Sequence, residues 1–468
     1  MQRGFFRERL MTEDTIAAIA TPRGEGGISI IRVSGKDAFS SVNMIFKGRR
    51  RPGHNPKDRV FHGHILDGEE PIDDVLVTTF HSPASYTGED VVEISCHGSP
   101  FITQRILELL TFNNVRPARP GEFTERAYLN GRMDLVQAEA VADLIQAKTE
   151  ASRRVAIYQL EGNLSDQVQT MRKSLIETVS LLELELDFGE EDLTFTSKQE
   201  VAKMLDGMVK TMQSLIASFD RGRICRDGIR MAIVGRPNVG KSSILNVLLE
   251  KERAIVTEVA GTTRDTIEDI LDIEGVLFRI IDTAGIRQST DPIEQEGVRR
   301  ALSAMEQAEL VLLVLDGSDA LMPEDEELIR QIKGFDKTTL VVINKTDLKT
   351  MLDPSLIRKR TGTGTVLNIS CKTGKGVPDL VRCLQDVVLQ GGFPHEGDVL
   401  LTRVRHRDAF QKTVVAISQA IESLKTNMSQ EFVALDLRSA LNTLGEIVGE
   451  TTADDILNHI FSEFCIGK

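Results

Sequence analysis

Apolar positions change their spacing three times along this chain. From residue 12 to about residue 120, short β-rich runs alternate with turn signals. Residues 15–20, 27–33, 75–80 and 91–96 predict strands, and 102–110 predicts a helix. That mixture is the pattern of a small α+β domain. From Arg132 the apolar residues fall at helical spacing, first Val136, Ala140, Val141, Leu144 and Ile145, then Leu175, Ile176, Val179, Leu182 and Leu186. Helices are expected to follow one another to about Phe219. The stretch 221–227 is polar, contains Gly222 and reads as a linker. Buried-strand runs at Ile229–Val234, 277–281 and 340–343 then lead into loops, up to about Gln390. After Gly391-Gly392-Phe393-Pro394 breaks the chain, 409–424, 432–448 and 452–464 return to helical periodicity.

About 70 residues of amphipathic helix can hardly bury their apolar stripes alone. They are expected to pack on the helices of 132–219. The fold class is therefore multidomain, α/β plus α. An N-terminal α+β domain covers 1–131, and an all-α helical domain is split between 132–227 and 391–468. A further domain of α/β type, 228–390, is inserted between its halves.

Composition narrows this picture. The 468 residues are 41% hydrophobic and 27% charged, with no Trp. No apolar run nears the roughly 18 residues that span a bilayer, so a soluble protein is expected, with no membrane partner. Arg3, Arg7 and Arg9 are not followed by an apolar core and so do not read as a secretory signal, and either Met1 or Met11 can be the start. Cys96, Cys225, Cys371, Cys383 and Cys465 form no close pair, which argues against a disulfide framework or zinc knuckle and for a reducing cytoplasm. A net charge of −14 opposes nonspecific binding along a polyanion but leaves room for a local basic groove.

The chemistry centres on Gly235-Arg236-Pro237-Asn238-Val239-Gly240-Lys241-Ser242-Ser243, set between a strand and a helix. Glycines let the backbone turn its N–H groups inward, the helix N-terminus adds partial positive charge, and Lys241 supplies a point charge for β and γ phosphates. Ser242 can ligate Mg²⁺. Asp282-Thr283-Ala284-Gly285 suits a loop that holds Mg²⁺ through water and senses the γ-phosphate. Asn344-Lys345-Thr346-Asp347 follows a strand, and its Asp347 can accept hydrogen bonds from guanine N1 and N2. Ser370-Cys371-Lys372 is expected to present backbone N–H groups to guanine O6. With Thr262 or Thr263 these make a GTPase constellation, which marks the inserted α/β domain 228–390 as a Ras-like P-loop G domain, and an ATPase would lack Asp347. After Gly285 stands Ile286, where Ras-type GTPases use Gln to orient water. Arg287 and the acids Asp291, Glu294 and Glu296 are the nearby substitutes, a carboxylate being the better one, though an acid here also simply favours a helix N-terminus.

Asn238, the doubled Thr262-Thr263, the missing Gln and the terminal Phe464-Cys465-Ile466-Gly467-Lys468 together resemble the tRNA-modifying GTPase family called MnmE or TrmE. The likeness runs through Ala20-Thr21-Pro22, Gly26-Gly27, Arg32-Val33-Ser34-Gly35, Thr87-Gly88-Glu89-Asp90, Arg119-Pro120-Gly121-Glu122-Phe123 and Asp134-Leu135-Val136-Gln137-Ala138-Glu139-Ala140. Val239 and Cys371, often Ala in that family, are the departures beyond the first dozen residues.

The resemblance implies that the N-terminal domain binds tetrahydrofolate and forms a homodimer. It implies a partner, the FAD protein MnmG (GidA), in a heterotetramer or larger complex, with FAD on that partner only. The substrate would be the anticodon stem-loop of certain tRNAs. A (carboxymethyl)aminomethyl group would be installed on C5 of the wobble uridine, with a one-carbon unit from 5-formyl- or methylene-tetrahydrofolate. Carried over by position, Glu294 orients the attacking water and Ser242 and Thr263 hold Mg²⁺. Asn238, Thr257, Val259 and Thr262 hold K⁺ in place of an arginine finger, and Arg32, Glu93, Arg132 and Lys468 bind folate.

Cys465 suits a thiol nucleophile at the modification site, against the plainer role of a small buried hydrophobe. His62 and His64 share one strand face and His97 follows Cys96, without a tight metal-ligand set, and Asp187, Glu190, Glu191 and Asp192 read as a solvated helix end. Two rival functions remain at this level, a GTP-controlled assembly factor of the ribosome-maturation kind and a folate-binding scaffold with a vestigial GTPase.

Overall fold

The computed structural model describes residues 14–53, 59–187, 197–251, 269–273, 275–281, 302–335, 337–388, 398–426 and 428–468. The chain forms two compact units. One comprises Met1–Ala142, Gln159–Met212 and Asp408–Lys468, the other Asp143–Tyr158 and Gln213–Arg407.

The first unit carries a seven-stranded sheet in the order β3-β4-β5-β6-β2-β1-β7. Its strands are β1 Thr15–Ile19, β2 Gly26–Ser34, β3 Phe46–Gly48, β4 Val60–Asp67, β5 Glu70–Phe80, β6 Val91–Gly98 and β7 Val115–Pro117. Neighbours are antiparallel except β1 and β7, which are parallel. Period-two alternation sets the faces: in β4, Phe61 and Ile65 turn inward while Val60, His62 and His64 stay exposed. The inward side packs on the helices Ala38–Ile45 and Pro100–Phe112 through Phe39, Val42, Ile45, Ile106 and Leu110. On the opposite face Ile16 and Ala18 of β1 meet Ala118 and Phe123, with Tyr86 packed alongside, so β1 is covered on both sides.

In the same unit the helix Asn163–Asp187 lies against Gln430–Val448. Arg172 donates to the Leu441 carbonyl at 2.8 Å and to Glu450 at 2.5 Å, and Gln430 donates to Glu185 at 2.7 Å. Leu135, Ala138 and Val141 share a core with Leu457, Ile460, Phe461 and Phe464. Of the acidic run read as a helix end, Asp187 is the last residue of the helix Asn163–Asp187, and Glu190, Glu191 and Asp192 lie outside the described residues.

The second unit is built on a six-stranded sheet in the order β13-β12-β11-β8-β10-β9. These are β8 Ile229–Val234, β9 Asp269–Ile273, β10 Val276–Ile281, β11 Leu310–Asp316, β12 Thr338–Asn344 and β13 Val366–Asn368. All pairs are parallel except the β9–β10 hairpin. Central strands buried on both faces read as continuous apolar runs. Accordingly Met231 and Ile233 enter one core with Leu245, Phe278 and Leu384, while Ala232 and Val234 enter the other with Met305, Ile329 and Ile357.

The reading of 221–227 as a linker is overturned. Those residues belong to the helix Phe219–Asp227, with Phe219, Gly222 and Cys225 buried. A Cβ on Gly222 would stand 2.2 Å from the Leu401 carbonyl oxygen, so this glycine permits a close helix-to-chain approach rather than marking a break. Cys225 packs with Ala151, Val155 and Leu400, and burial pushes its thiol up to about 11.

Candidate functional site

Parallel strands bring loops to one edge of a sheet, and ligands of α/β folds bind outside the carboxyl ends of the strands. In the second unit that edge receives the loop after β8, which carries Gly235 to Gly240, and the loops after β11, β12 and β13. The phosphate loop leads into the helix Lys241–Lys251, on which Ser242 and Ser243 lie exposed in the first turn.

Within this loop Asn238 has φ 63° and Gly240 φ 104°, both in the left-handed region. A side chain at Gly240 would also collide with Asn344, whose Nδ2 lies 2.1 Å from the place of a Cβ. Lys241 folds back over its own loop, its Nζ donating to the carbonyls of Gly235 and Arg236 at 2.8 Å each. Burial lowers the Lys241 pKa from the ordinary lysine value.

Asn344 is 1% exposed and joins two loops. Its Nδ2 donates to the Val239 carbonyl at 3.0 Å, and its Oδ1 accepts from the Cys371 N–H at 3.2 Å. The side chain therefore fixes the spacing between the phosphate loop and the loop after β13. Lys345, at φ 61°, sets its Nζ 2.5 Å from Asp316 Oδ2. Burial works against the Asp316 charge, yet Lys345 and Ser318 outweigh it and hold the carboxyl below the usual aspartate range. Asp347 is exposed, with one carboxylate oxygen accepting from Ser370 Oγ at 2.7 Å. Thr346 donates through both its N–H and its hydroxyl to the Ile369 carbonyl. Burial pushes the Cys371 thiol up to about 11, so this residue offers a backbone N–H and no thiolate. Lys372 is exposed beside it. Thr257, Val259, Thr262, Thr263, Asp282, Thr283, Ala284, Gly285 and Glu294 lie outside the described residues.

The first unit holds a second cluster. Arg32 on β2 and Glu93 on β6 face each other across the ladder, and Arg32 Nε donates to Glu93 Oε1 at 2.9 Å. Arg32 Nη1 reaches the Gly467 carbonyl at 3.4 Å. The guanidinium stands 5.5 Å from the Tyr86 ring centre and 5.7 Å from that of Phe123, and Lys468 Nζ stands 5.8 Å from the same Tyr86 ring. Burial, with Arg32 repulsion added and Glu93 attraction opposing, lowers the Lys468 pKa. Three of the four residues proposed for folate thus converge. Arg132 does not join them: it is exposed, its stem beside Gly88, and no hydrogen bond or ion pair among the described residues links it to Arg32, Glu93 or Lys468.

Cys465 is exposed, and its carbonyl accepts from Gly121 N–H at 3.4 Å. That exposure removes the reading of Cys465 as a buried hydrophobe. His62 and His64 both approach Asp74, at 2.9 and 3.5 Å, and His97 approaches Asp73 at 2.6 Å. Among the described residues, no group of three or more His, Cys, Asp or Glu is arranged to hold a metal ion. Nor is any described helix long and apolar enough to cross a membrane.

Sequence reasoning missed the ion network behind this cluster. Arg126, 5% exposed, donates to Asp14 at 2.8 Å and to Glu89 and Glu122 at 3.2 Å, while Ser34 Oγ donates to Glu89 at 2.7 Å. A signal was present, because Arg126 falls on the same helical face as Phe123 and Ala127, and an arginine on a buried face requires acids.

Comparison with known proteins agrees with these features. A family model for the GTP-binding protein TrmE N-terminus matches residues 15–132, and one for the MnmE helical domain matches residues 135–465. The tRNA modification GTPase MnmE of Natranaerobius thermophilus is 45% identical over 460 residues, covering 98% of this chain and 100% of that protein. The protein of the same name from Syntrophus aciditrophicus is 44% identical over 461 residues, again covering 98% and 100%. That of Clostridioides difficile is 41% identical over 462 residues with the same coverage. On both the matched models and the full-length identity, the chain belongs to the MnmE family of tRNA modification GTPases.

Proposed function

We propose that this GTP hydrolase works in wobble-uridine modification, adding a (carboxymethyl)aminomethyl group at C5 together with the flavoprotein MnmG. Turnover would be stimulated by K⁺, and hydrolysis would drive cycles of G-domain dimerisation. The observation that carries the GTPase part is the tie made by Asn344 between the phosphate loop and the loop after β13, beside an exposed Asp347. Lys241 would leave the carbonyls of Gly235 and Arg236 to meet the β and γ phosphates, an exchange of acceptors for the same ammonium. Asp347 would accept from guanine N1 and N2, with Ser370 holding its other oxygen.

Ser242, exposed in the first helical turn, and Thr263 would hold Mg²⁺, which when bound neutralises phosphate charge. Asn238, exposed at the bend of the loop, fits a K⁺ ligand, with Thr257, Val259 and Thr262 completing the set and Glu294 orienting water. For tetrahydrofolate, Glu93 would accept pterin N–H donors, and Lys468 would pair with ligand carboxylates. Its depressed pKa supports that fit, because an arriving carboxylate relieves the cost of burying the ammonium. We assign the N-terminal domain to 1–131, the helical domain to 132–227 and 391–468, and the G domain to 228–390. The homodimer, the tRNA anticodon stem-loop as substrate and a cytoplasmic location belong to the same reading.

GTP hydrolysis by the purified protein in K⁺ and in Na⁺, with Glu294→Ala alongside, tests it. Strong K⁺ stimulation that disappears in the variant is expected. Equal turnover in the two salts would remove the cation role, and absent turnover would favour a vestigial GTPase. For folate, unchanged affinity in Glu93→Ala would take that residue out of the site.

A further inference from the structure

We propose that Arg236 is a positioning residue of the phosphate loop, anchored by Asp325 so that residues 316–325 connect the phosphate loop to the guanine loop. The inference rests on the GTPase reading and concerns its internal support. Arg236 is the second residue of the loop, yet its side chain turns away from solvent and is 17% exposed. Its Nε donates to Asp325 Oδ2 at 2.9 Å, and its Nη2 lies 3.6 Å from Asp319 Oδ2.

Asp325 is held from its own side as well. It is 2% exposed, and its Oδ2 accepts from the Met322 N–H at 3.1 Å, capping the helix Pro323–Gly334. Its Oδ1 is buried with no hydrogen-bond partner among the described residues. A buried carboxylate in that position depends on its one strong cation, since removing a partner leaves an uncompensated charge. The loop backbone at Arg236 is thus fixed twice. Lys241 holds the Arg236 carbonyl from inside the loop, and Asp325 holds the guanidinium from outside. When Lys241 is drawn to a phosphate the inner tie is lost, and the outer one keeps the loop in register.

The far end of the same connector grips the base side. Asp316 takes Lys345 at 2.5 Å and is itself fixed by Ser318. Gly317 N–H donates to the Asn344 carbonyl at 2.8 Å, and the Gly317 carbonyl accepts from Met351 N–H at 2.8 Å. One short segment therefore contacts the guanine loop at its start and the phosphate loop at its end. The rival role, a free cation that stabilises transferred phosphate charge, suits this arginine poorly, because two carboxylates already occupy it.

The experiment uses the full chain with Arg236→Ala, Arg236→Lys, Asp325→Asn and the Arg236→Ala/Asp325→Asn double variant. Asp325→Asn keeps an acceptor for the helix cap while removing the charge, so it guards against simple failure to fold. Release of a fluorescent GDP analogue, kcat and KM for GTP, and thermal melting are read in one K⁺ buffer. Expected are release faster and KM higher by about tenfold in Arg236→Ala and in Asp325→Asn, with kcat at saturation within a few-fold. The double variant should be no worse than the worse single one, as coupled partners require. Arg236→Lys, which keeps charge without the planar fork, should recover part of the affinity. Unchanged release in both single variants, even with lower melting, would overturn the proposal. So would a fall in kcat confined to Arg236→Ala, or effects that multiply in the double variant. Failure of the wild-type chain to bind or hydrolyse GTP would defeat the underlying GTPase reading instead, and is seen in the same assays.

Discussion

The nucleotide loops and the Arg32 cluster are built by opposite means. In the first, neighbouring strand ends of one parallel sheet deliver short loops, and side chains such as Asn344 tie those loops through backbone groups. In the second, charged side chains from β2 and β6 meet aromatic rings and the stretch ending in Lys468, with partners 61 and 435 residues apart. Backbone-built sites need particular residues at particular offsets, so they write themselves into local sequence. Side-chain clusters assembled by tertiary packing leave no such spacing.

The largest expected effect comes from Lys241→Ala. Removing the ammonium from the phosphate loop should lower GTP turnover by roughly 10²-fold or more, measured at saturating GTP, with tetrahydrofolate binding unchanged. A parallel loss of folate binding would break the separation drawn between the two regions. Next, Arg32→Ala leaves Glu93 and the Gly467 carbonyl without their donor. It should cost about 1–3 kcal/mol of stability, seen by urea or thermal unfolding, and weaken folate binding while GTP turnover stays at the wild-type value. Asn344→Ala severs the tie between loops and should raise the GDP dissociation constant by about tenfold, the size of one net hydrogen bond to a buried group.

The smallest effect concerns His97 at the rim of the N-terminal sheet. Its hydrogen bond to Asp73 raises its pKa from the ordinary histidine value. The stabilisation is therefore complete below the ordinary value and is lost as pH rises through the raised one. A proton-detected NMR titration should show the raised midpoint, its return to the ordinary range in Asp73→Asn, and no change on adding GDP.

Much of the fold was legible because apolar spacing differs so plainly between the parts. The expected strand at 75–80 begins earlier, at Glu70, since Asp73 and Asp74 sit near a strand end where polar groups are satisfied by His97 and His62. The expected helix after the phosphate loop starts at Lys241, within the motif itself. Residues 221–227 were misread because polarity and a glycine look like a linker, whereas Gly222 is there for its close approach to Leu401. Lys241, Asn344 and Asp347 were found from offsets alone. Arg32, Glu93 and Lys468 were reached only through resemblance, and Arg126 was not reached, because its acids Asp14, Glu89 and Glu122 come from three separate stretches of chain.

The bond from Arg32 to the Gly467 carbonyl has a consequence for biosynthesis. The sheet bearing Arg32 leaves the ribosome early, but this contact waits for residues 465–468, after nearly all the intervening chain has been made. Until then Arg32 and Glu93 face water without Lys468 over Tyr86. A nascent chain stalled between about residue 390 and Cys465 has all the residues of the sheet and of the phosphate loop, and still lacks the Gly467 carbonyl that Arg32 bonds and the Lys468 ammonium near Tyr86.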